Sequence, residues 1–127
     1  VEVNCETDFV ARTEQFQTFA HDLALHIAAS APKYMDVANV PADVLEAERS
    51  IARNRALQEG KPEKVVDKIV DGRLEKYYQD VCLMKQAYVR DDSLTIADLL
   101  KQTIAAIGEN VIIRRFVRWE LGEEVSA

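Results

Sequence analysis

Apolar residues alternate with polar ones at both ends of the chain, which is the pattern of strands with one buried side. Near the start, the alternation places Val1, Val3 and Cys5 on one face. A longer alternation spans residues 111–121. Its apolar face contains Val111, Ile113, Val117, Trp119 and Leu121. We predict that the two strands pair, and that further sequence or a partner supplies a third, because two strands alone are marginally stable.

Four segments between these strands carry apolar residues at the i, i+3, i+4 spacing of amphipathic helices. Capping threonines or prolines precede them, and most end near glycine or proline. The bounding residues are Thr13 and Pro32, Pro41 and Gly60, Pro62 and Val81, and Thr95 and Gly108. Asp98 lies three residues after Thr95, at the spacing of a capping box. Gly72 lies inside the third helix, where glycine indicates a close helix contact or a break.

The predicted order of elements is strand, helix, helix, long helix, helix, strand. Because the helices do not alternate with strands, this order favours an α+β fold with a small antiparallel sheet and helices packed on one face. A length of 127 residues suits one domain, so we assign residues 1–127 to a single core domain. Since the chain starts at Val1 in a strand pattern, we interpret it as part of a longer protein.

The charge and cysteine content exclude several classes of protein. The chain has 16 Lys and Arg residues against 22 Asp and Glu residues, a net charge of -6. This balance argues against direct nucleic-acid binding, because phosphate neutralisation needs clustered basic residues. No apolar run approaches a membrane span and no signal-peptide pattern opens the chain, so we expect no membrane role. Two cysteines are too few for a disulfide scaffold, which indicates a reducing compartment.

The sequence contains no recognisable set of catalytic or ligand-binding residues. His21 and His26 are five residues apart, so they do not share the i, i+4 face of paired metal ligands. No glycine-rich loop for phosphate is present. Asp91 and Asp92 are interpreted as a solvated turn rather than a metal or acid–base site. We therefore predict no active site, no cofactor and no metal ion.

The segment that joins the first strand to the first helix reads C-E-T-D-F-V-A-R at residues 5–12. Thr7 is a candidate N-cap, which would place Asp8 and Phe9 at the exposed start of a turn. One interpretation packs Phe9 or Val10 beneath the sheet while Asp8 caps a helix, and periodicity alone favours it. In the other, Phe9 projects outward beside a carboxylate and inserts into a partner protein as an anchor.

The sequence N-C-E-T-D-F-V-A-R at residues 4–12 closely resembles the signature of the bacterial-type elongation factor Ts family. Four further blocks resemble that family in its order. They are E-G-K-P-E at 59–63, K-I-V-D-G-R-L-E-K at 68–76, I-G-E-N-V at 107–111 and R-R-F-V-R-W-E-L-G at 114–122. The resemblance covers essentially the whole chain and corresponds to the family's core region, without its N-terminal helical module. Ala87 stands where the family usually has proline.

The resemblance implies a guanine-nucleotide exchange factor for the GTPase elongation factor Tu, acting in translation elongation without an active site of its own. In the family, the Asp and Phe of T-D-F-V contact the GTPase near its nucleotide. The Phe inserts between helices of the G domain and disturbs the magnesium and phosphate site, so that GDP leaves. These roles fall on Asp8 and Phe9, with Thr7, Val10 and Arg12 as supporting positions. The implied location is a bacterial cytoplasm, or a plastid or mitochondrial matrix.

A second hypothesis is a module that docks on elongation factor Tu, or stabilises an assembly, without accelerating exchange. The missing upstream module motivates it, because its loss would cost affinity and leave an open sheet edge. An edge of this kind also favours a homodimer. The two hypotheses differ in whether Phe9 affects GDP release beyond its effect on binding.

Overall fold

The computed structural model describes residues 1–124, which form helices and two small antiparallel sheets. The strands are β1 (Glu2–Cys5), β2 (Ala87–Tyr88), β3 (Asp91–Thr95) and β4 (Val111–Arg115). The α-helices are α1 (Asp8–Ala11), α2 (Glu14–Ser30), α3 (Ala42–Gln58), α4 (Glu63–Val81) and α5 (Ile96–Ile107). Short 3₁₀ helices cover Val37–Asn39 and Leu83–Lys85. These elements confirm the predicted α+β class and all four predicted long helices.

The two terminal strands pair as predicted. β1 and β4 are antiparallel, with Cys5 opposite Val111 and Val3 opposite Ile113. Val111 and Ile113 are buried, as their shared face in the sequence predicts. Within residues 1–124 this sheet has two strands, and the other two strands form a separate hairpin, β2 with β3. The sequence did not predict this hairpin, because Asp91 and Asp92 at its turn side are exposed and polar.

The predicted strand over residues 111–121 is too long. β4 ends at Arg115, which lies opposite Glu2, the first residue of β1. Because β1 begins at Glu2, the residues after Arg115 have no strand to pair with. The alternation of apolar and polar residues therefore continues there without a partner strand. Val117, Trp119 and Leu121 are therefore exposed rather than part of a buried sheet face.

The described residues divide into two compact units, and the first contains residues 1–31 together with the residues from Ala87 onward. Helix α2 presents the predicted apolar stripe, and four of its apolar side chains are buried: Phe16, Phe19, Leu23 and Ile27. His26 is also fully buried on this helix. Its Nδ1 accepts a hydrogen bond from the N–H of Val89 at 3.1 Å, and its ring centroid lies 6.0 Å from that of Tyr88.

The second unit, Pro32–Gln86, contains the helix pair α3 and α4. Five buried residues pack together between these helices: Ala52, Ala56, Val66, Val70 and Leu74. Gly60 ends α3 as predicted, with a φ of 76° that favours glycine. Cys82 lies in a second buried cluster with Val40 and Val81. Burial raises the pKa of the Cys82 thiol, because the thiolate would lose its hydration there.

Gly72 marks neither a close helix contact nor a break, contrary to the sequence-based expectation. Helix α4 runs through it without interruption, and Gly72 itself is exposed. Apart from its chain neighbours and the nearby backbone of its own helix, a Cβ built at this position has no described atom within 4 Å. The glycine therefore weakens the helix without a visible packing reason.

Substituting Gly72→Ala is expected to raise the free energy of unfolding by about 0.5–1 kcal/mol, because alanine loses less backbone entropy in a helix. Urea denaturation followed by far-UV circular dichroism measures this difference. Gly60→Ala is the matched control in the same unit. Its positive φ makes alanine strained, so that variant should be less stable than the unmodified protein. An unchanged or lower urea midpoint for Gly72→Ala would contradict the prediction.

Candidate functional site

The segment between β1 and α2 forms a short, capped helix. Thr7 is extended, and its Oγ1 accepts a hydrogen bond from the N–H of Val10 at 3.3 Å. The carbonyl of Thr7 also accepts from the N–H of Ala11 at 3.3 Å. The predicted N-cap at Thr7 is confirmed, and the four residues of α1 follow it directly. Thr7, α1 and Arg12 are called the 7–12 segment below.

Phe9 and Val10 are adjacent in α1 but differ sharply in exposure. The side of Val10 faces the protein interior, since the residue is only 8% exposed. Phe9 is 78% exposed, although its ring is among the largest apolar groups in the chain. The interpretation that packs Phe9 or Val10 inward therefore holds for Val10 and not for Phe9. Its assignment of Asp8 as the cap is wrong, because Thr7 caps the helix. The short helix is fixed from inside by Val10 and presents an aromatic ring to the outside.

Two opposite charges flank the exposed ring. The Asp8 carboxylate lies 3.6 Å from Nη2 of Arg12, and both side chains are more than 80% exposed. Such an exposed pair contributes at most about 1 kcal/mol, so a partner can displace either member at little cost. Asp8 is also the first residue of α1, where the N-terminal end of the helix favours a carboxylate.

A glutamate far along the chain contacts the start of this segment, and the sequence analysis gave it no role. The Oε1 atom of Glu109 accepts hydrogen bonds from the N–H of Glu6 at 2.9 Å and of Thr7 at 3.0 Å. The Thr7 hydroxyl lies 3.3 Å from Oε1 and 3.1 Å from Oε2. Glu109 belongs to the I-G-E-N-V block at 107–111, which is the only sequence signal that distinguishes it.

Thr13 connects the other end of the 7–12 segment to α2. Its Oγ1 donates to the carbonyl of Val10 at 2.7 Å and accepts from the N–H of Phe16 at 3.3 Å. The N–H of Thr13 donates to the same Val10 carbonyl at 3.0 Å. Thr13 is thus the predicted N-cap of α2, and it also restrains the end of α1. The segment that carries Phe9 is held on both sides by hydrogen bonds.

The remaining polar residues were compared with the requirements of a metal site and of a membrane span. Between residues 1 and 124, no group of three or more His, Cys, Asp and Glu side chains is arranged to hold a metal ion. Asp91 uses its carboxylate locally, since Oδ1 accepts from both the N–H and the hydroxyl of Ser93. In the same part of the chain, no helix is long and apolar enough to cross a membrane.

Comparisons with known proteins give one consistent family. The sequence model described as elongation factor TS matches residues 17–123. Elongation factor Ts of Coprothermobacter proteolyticus is 56% identical over 123 residues, which are 97% of this chain and 62% of that protein. Elongation factor Ts of Thermoanaerobacter sp. is 55% identical over 125 residues, 98% of this chain and 61% of the relative. That of Geobacter metallireducens is 55% identical over 97% of this chain and 57% of its own length. The chain spans about three fifths of the length of these relatives.

Proposed function

Because this chain belongs to the elongation factor Ts family, we propose that it is a guanine-nucleotide exchange factor for the GTPase elongation factor Tu. The observation that supports this proposal is the outward-facing ring of Phe9, which is 78% exposed on a short helix restrained at both ends. An isolated apolar ring beside a carboxylate on a rigid support suits insertion into a partner protein.

In the proposed mechanism, Phe9 inserts between helices of the G domain of elongation factor Tu, with Asp8 beside the nucleotide site. The resulting shift disturbs the magnesium ion and the loop that binds the phosphates. Magnesium supplies the largest local positive charge on the phosphates, so disturbing it weakens GDP binding. Exchange follows only if the chain binds the nucleotide-free GTPase more tightly than the GDP-bound form, because an equilibrium shifts only by differential affinity.

The supporting positions have different proposed tasks. Val10 is buried and anchors α1 from inside, so its contribution to partner binding is indirect. Thr7 fixes the first turn of α1 by accepting from the N–H of Val10. Arg12 holds the Asp8 carboxylate until the partner surface competes for it. Exchange of this kind needs no covalent step and no cofactor, and it would take place in a bacterial cytoplasm or in an organelle matrix.

A second candidate function is docking on elongation factor Tu without exchange. The chain spans only 57–62% of the length of these relatives, so contacts that drive exchange in them can lie in the part that this sequence does not cover. In addition, each strand of the β1–β4 sheet has one edge that the other does not pair. Such an edge favours a homodimer as a further assembly role.

Release of fluorescent GDP from elongation factor Tu, with magnesium present, distinguishes the two functions. Binding to the same GTPase is measured separately, by calorimetry on the nucleotide-free form. An exchange factor accelerates release in proportion to the amount added, at concentrations below that of the GTPase. Binding that leaves the release rate unchanged would contradict exchange and support the docking function, and analytical ultracentrifugation of the chain alone tests the homodimer.

A further inference from the structure

The β1–β4 ladder ends just before the 7–12 segment, at Cys5 opposite Val111. The next two backbone N–H groups of the chain, those of Glu6 and Thr7, donate to the Oε1 atom of Glu109 at 2.9 and 3.0 Å. Because successive N–H groups of a strand point to opposite sides, one acceptor shared by two of them shows that the chain leaves the strand and bends at Glu6. Hydrogen bonds to a carboxylate are stronger than those to a neutral acceptor, so Glu109 stabilises this bend of the backbone.

The same carboxylate determines the direction of the Thr7 hydroxyl. A threonine hydroxyl has one hydrogen to donate and lone pairs that accept. Because an ionised carboxylate can only accept, the hydroxyl donates its hydrogen to Glu109, at 3.1 Å from Oε2. A lone pair of the hydroxyl oxygen is then directed to Val10, and it accepts the hydrogen bond from the N–H of Val10 at 3.3 Å. The contact with Glu109 thereby stabilises the cap on which α1, and with it Phe9, depends.

Glu109 itself lies on a well-fixed part of the fold. Gly108 ends α5 with a φ of 83°, and its N–H donates to the carbonyl of Ile104 at 2.9 Å. Two residues after Glu109, β4 begins at the buried Val111. The start of α5 is fixed by the predicted capping box, in which Thr95 and Asp98 exchange hydrogen bonds of 3.1 Å. The bond from the N–H of Thr95 also holds the pKa of the Asp98 carboxyl below its usual range.

From this geometry we infer that Glu109 is a positioning residue for exchange: it holds the 7–12 segment so that Phe9 and Asp8 meet the GTPase together. The inference rests on the proposed exchange function. Glu109 is half-buried and contacts the segment from 102 and 103 positions away in the chain. Its carboxylate oxygens are engaged with Glu6 and Thr7, so in this inference Glu109 acts on the partner through the segment.

The test uses three substitutions of Glu109 that separate the effect of its charge from the effect of its side-chain length. Glu109→Ala removes the carboxylate and is expected to reduce the acceleration of GDP release by about tenfold to a hundredfold, the fold-change typical of losing charge-assisted hydrogen bonds. Glu109→Asp keeps the charge but is one methylene shorter, so it should lose nearly as much. Glu109→Gln keeps the length and one acceptor oxygen, so it should retain an intermediate rate.

A double-mutant cycle distinguishes positioning from general destabilisation. If Glu109 positions both Phe9 and Asp8, Glu109→Ala lowers the acceleration of GDP release by a smaller factor in the Phe9→Ala variant than in the unmodified chain, because only Asp8 is left to position. Independent effects that multiply would overturn the inference. Val66→Ala, which removes buried methyl groups from the α3–α4 cluster of the second unit, is the stability control and should leave the acceleration of GDP release unchanged.

Hydrogen exchange of the backbone amides of Glu6 and Thr7 provides a readout that needs no GTPase. Both amides should be protected in the unmodified chain and exposed in Glu109→Ala, while the amides of α3 stay unchanged. Retained protection in Glu109→Ala would overturn the inference by itself. If the unmodified chain does not accelerate the release of GDP from elongation factor Tu, the proposed function fails on that measurement alone. The same cycle, measured as affinity for nucleotide-free elongation factor Tu, then decides whether Glu109 positions the segment for docking.

Discussion

Replacing Phe9 with alanine is expected to reduce the acceleration of GDP release by about thirtyfold, which corresponds to the ~2 kcal/mol of an interface anchor. The ring is 78% exposed, so its removal takes little from the core of the chain. The free energy of unfolding should therefore change by less than about 0.5 kcal/mol. Affinity for the nucleotide-free GTPase should fall less than the release rate if the ring acts in displacing the nucleotide.

The measurement is release of fluorescent GDP at several concentrations of the variant, together with calorimetric binding. Trp119→Ala is the matched control, because Trp119 is also a large aromatic residue and is 74% exposed outside the 7–12 segment. The Trp119→Ala variant should accelerate GDP release as much as the unmodified chain does. Phe9→Leu, which keeps much of the apolar volume, should lie between the unmodified chain and Phe9→Ala. A Phe9→Ala variant that still accelerates release normally would contradict insertion of this ring.

The helix ends of the fold were predictable because the signals that set them are local. Thr13 caps α2 and Gly108 ends α5, and in both cases the partner groups lie within four residues. The same reasoning gave the cap at Thr7. The pairing of β1 with β4 was predictable for a different reason, since both strands carry a clear apolar face that must be buried together.

The features that the sequence did not reveal depend on contacts between distant segments. Trp119 continues an apolar alternation, and its exposure follows from where β1 starts rather than from its own neighbours. His26 is buried because Val89 and Tyr88 meet it from the β2–β3 hairpin region. Phe9 and Val10 are adjacent apolar residues, so periodicity could not decide which of them faces outward.

The contact of Glu109 with the candidate site was also not predictable from the sequence. As a lone glutamate between a helix and a strand, it has no pattern that indicates a ligand or a cap. Its role becomes visible only where β1 and β4 bring residue 6 next to residue 109. A family resemblance identified the residues that would contact a partner, whereas the structure identified what holds them.

The largest effect on stability is expected for Leu23, which is fully buried in α2. Leu23→Ala should lower the free energy of unfolding by about 2–5 kcal/mol, because it removes buried methyl groups and leaves a cavity. Domains of this size have a total stability of about 5–15 kcal/mol, so a substantial unfolded population is expected on mild heating. Urea denaturation followed by far-UV circular dichroism measures the loss.

Leu25→Ala is the matched control, since Leu25 lies in the same helix and is 44% exposed. The same substitution there should cost less than about 1 kcal/mol, because little apolar area returns to water. Equal losses in the two variants would contradict the burial of the Leu23 face of α2. The comparison also bears on the site, because the α2 N-cap, Thr13, holds the carbonyl of Val10. Destabilising α2 should therefore loosen α1 and reduce GDP release at temperatures where Leu25→Ala still acts normally.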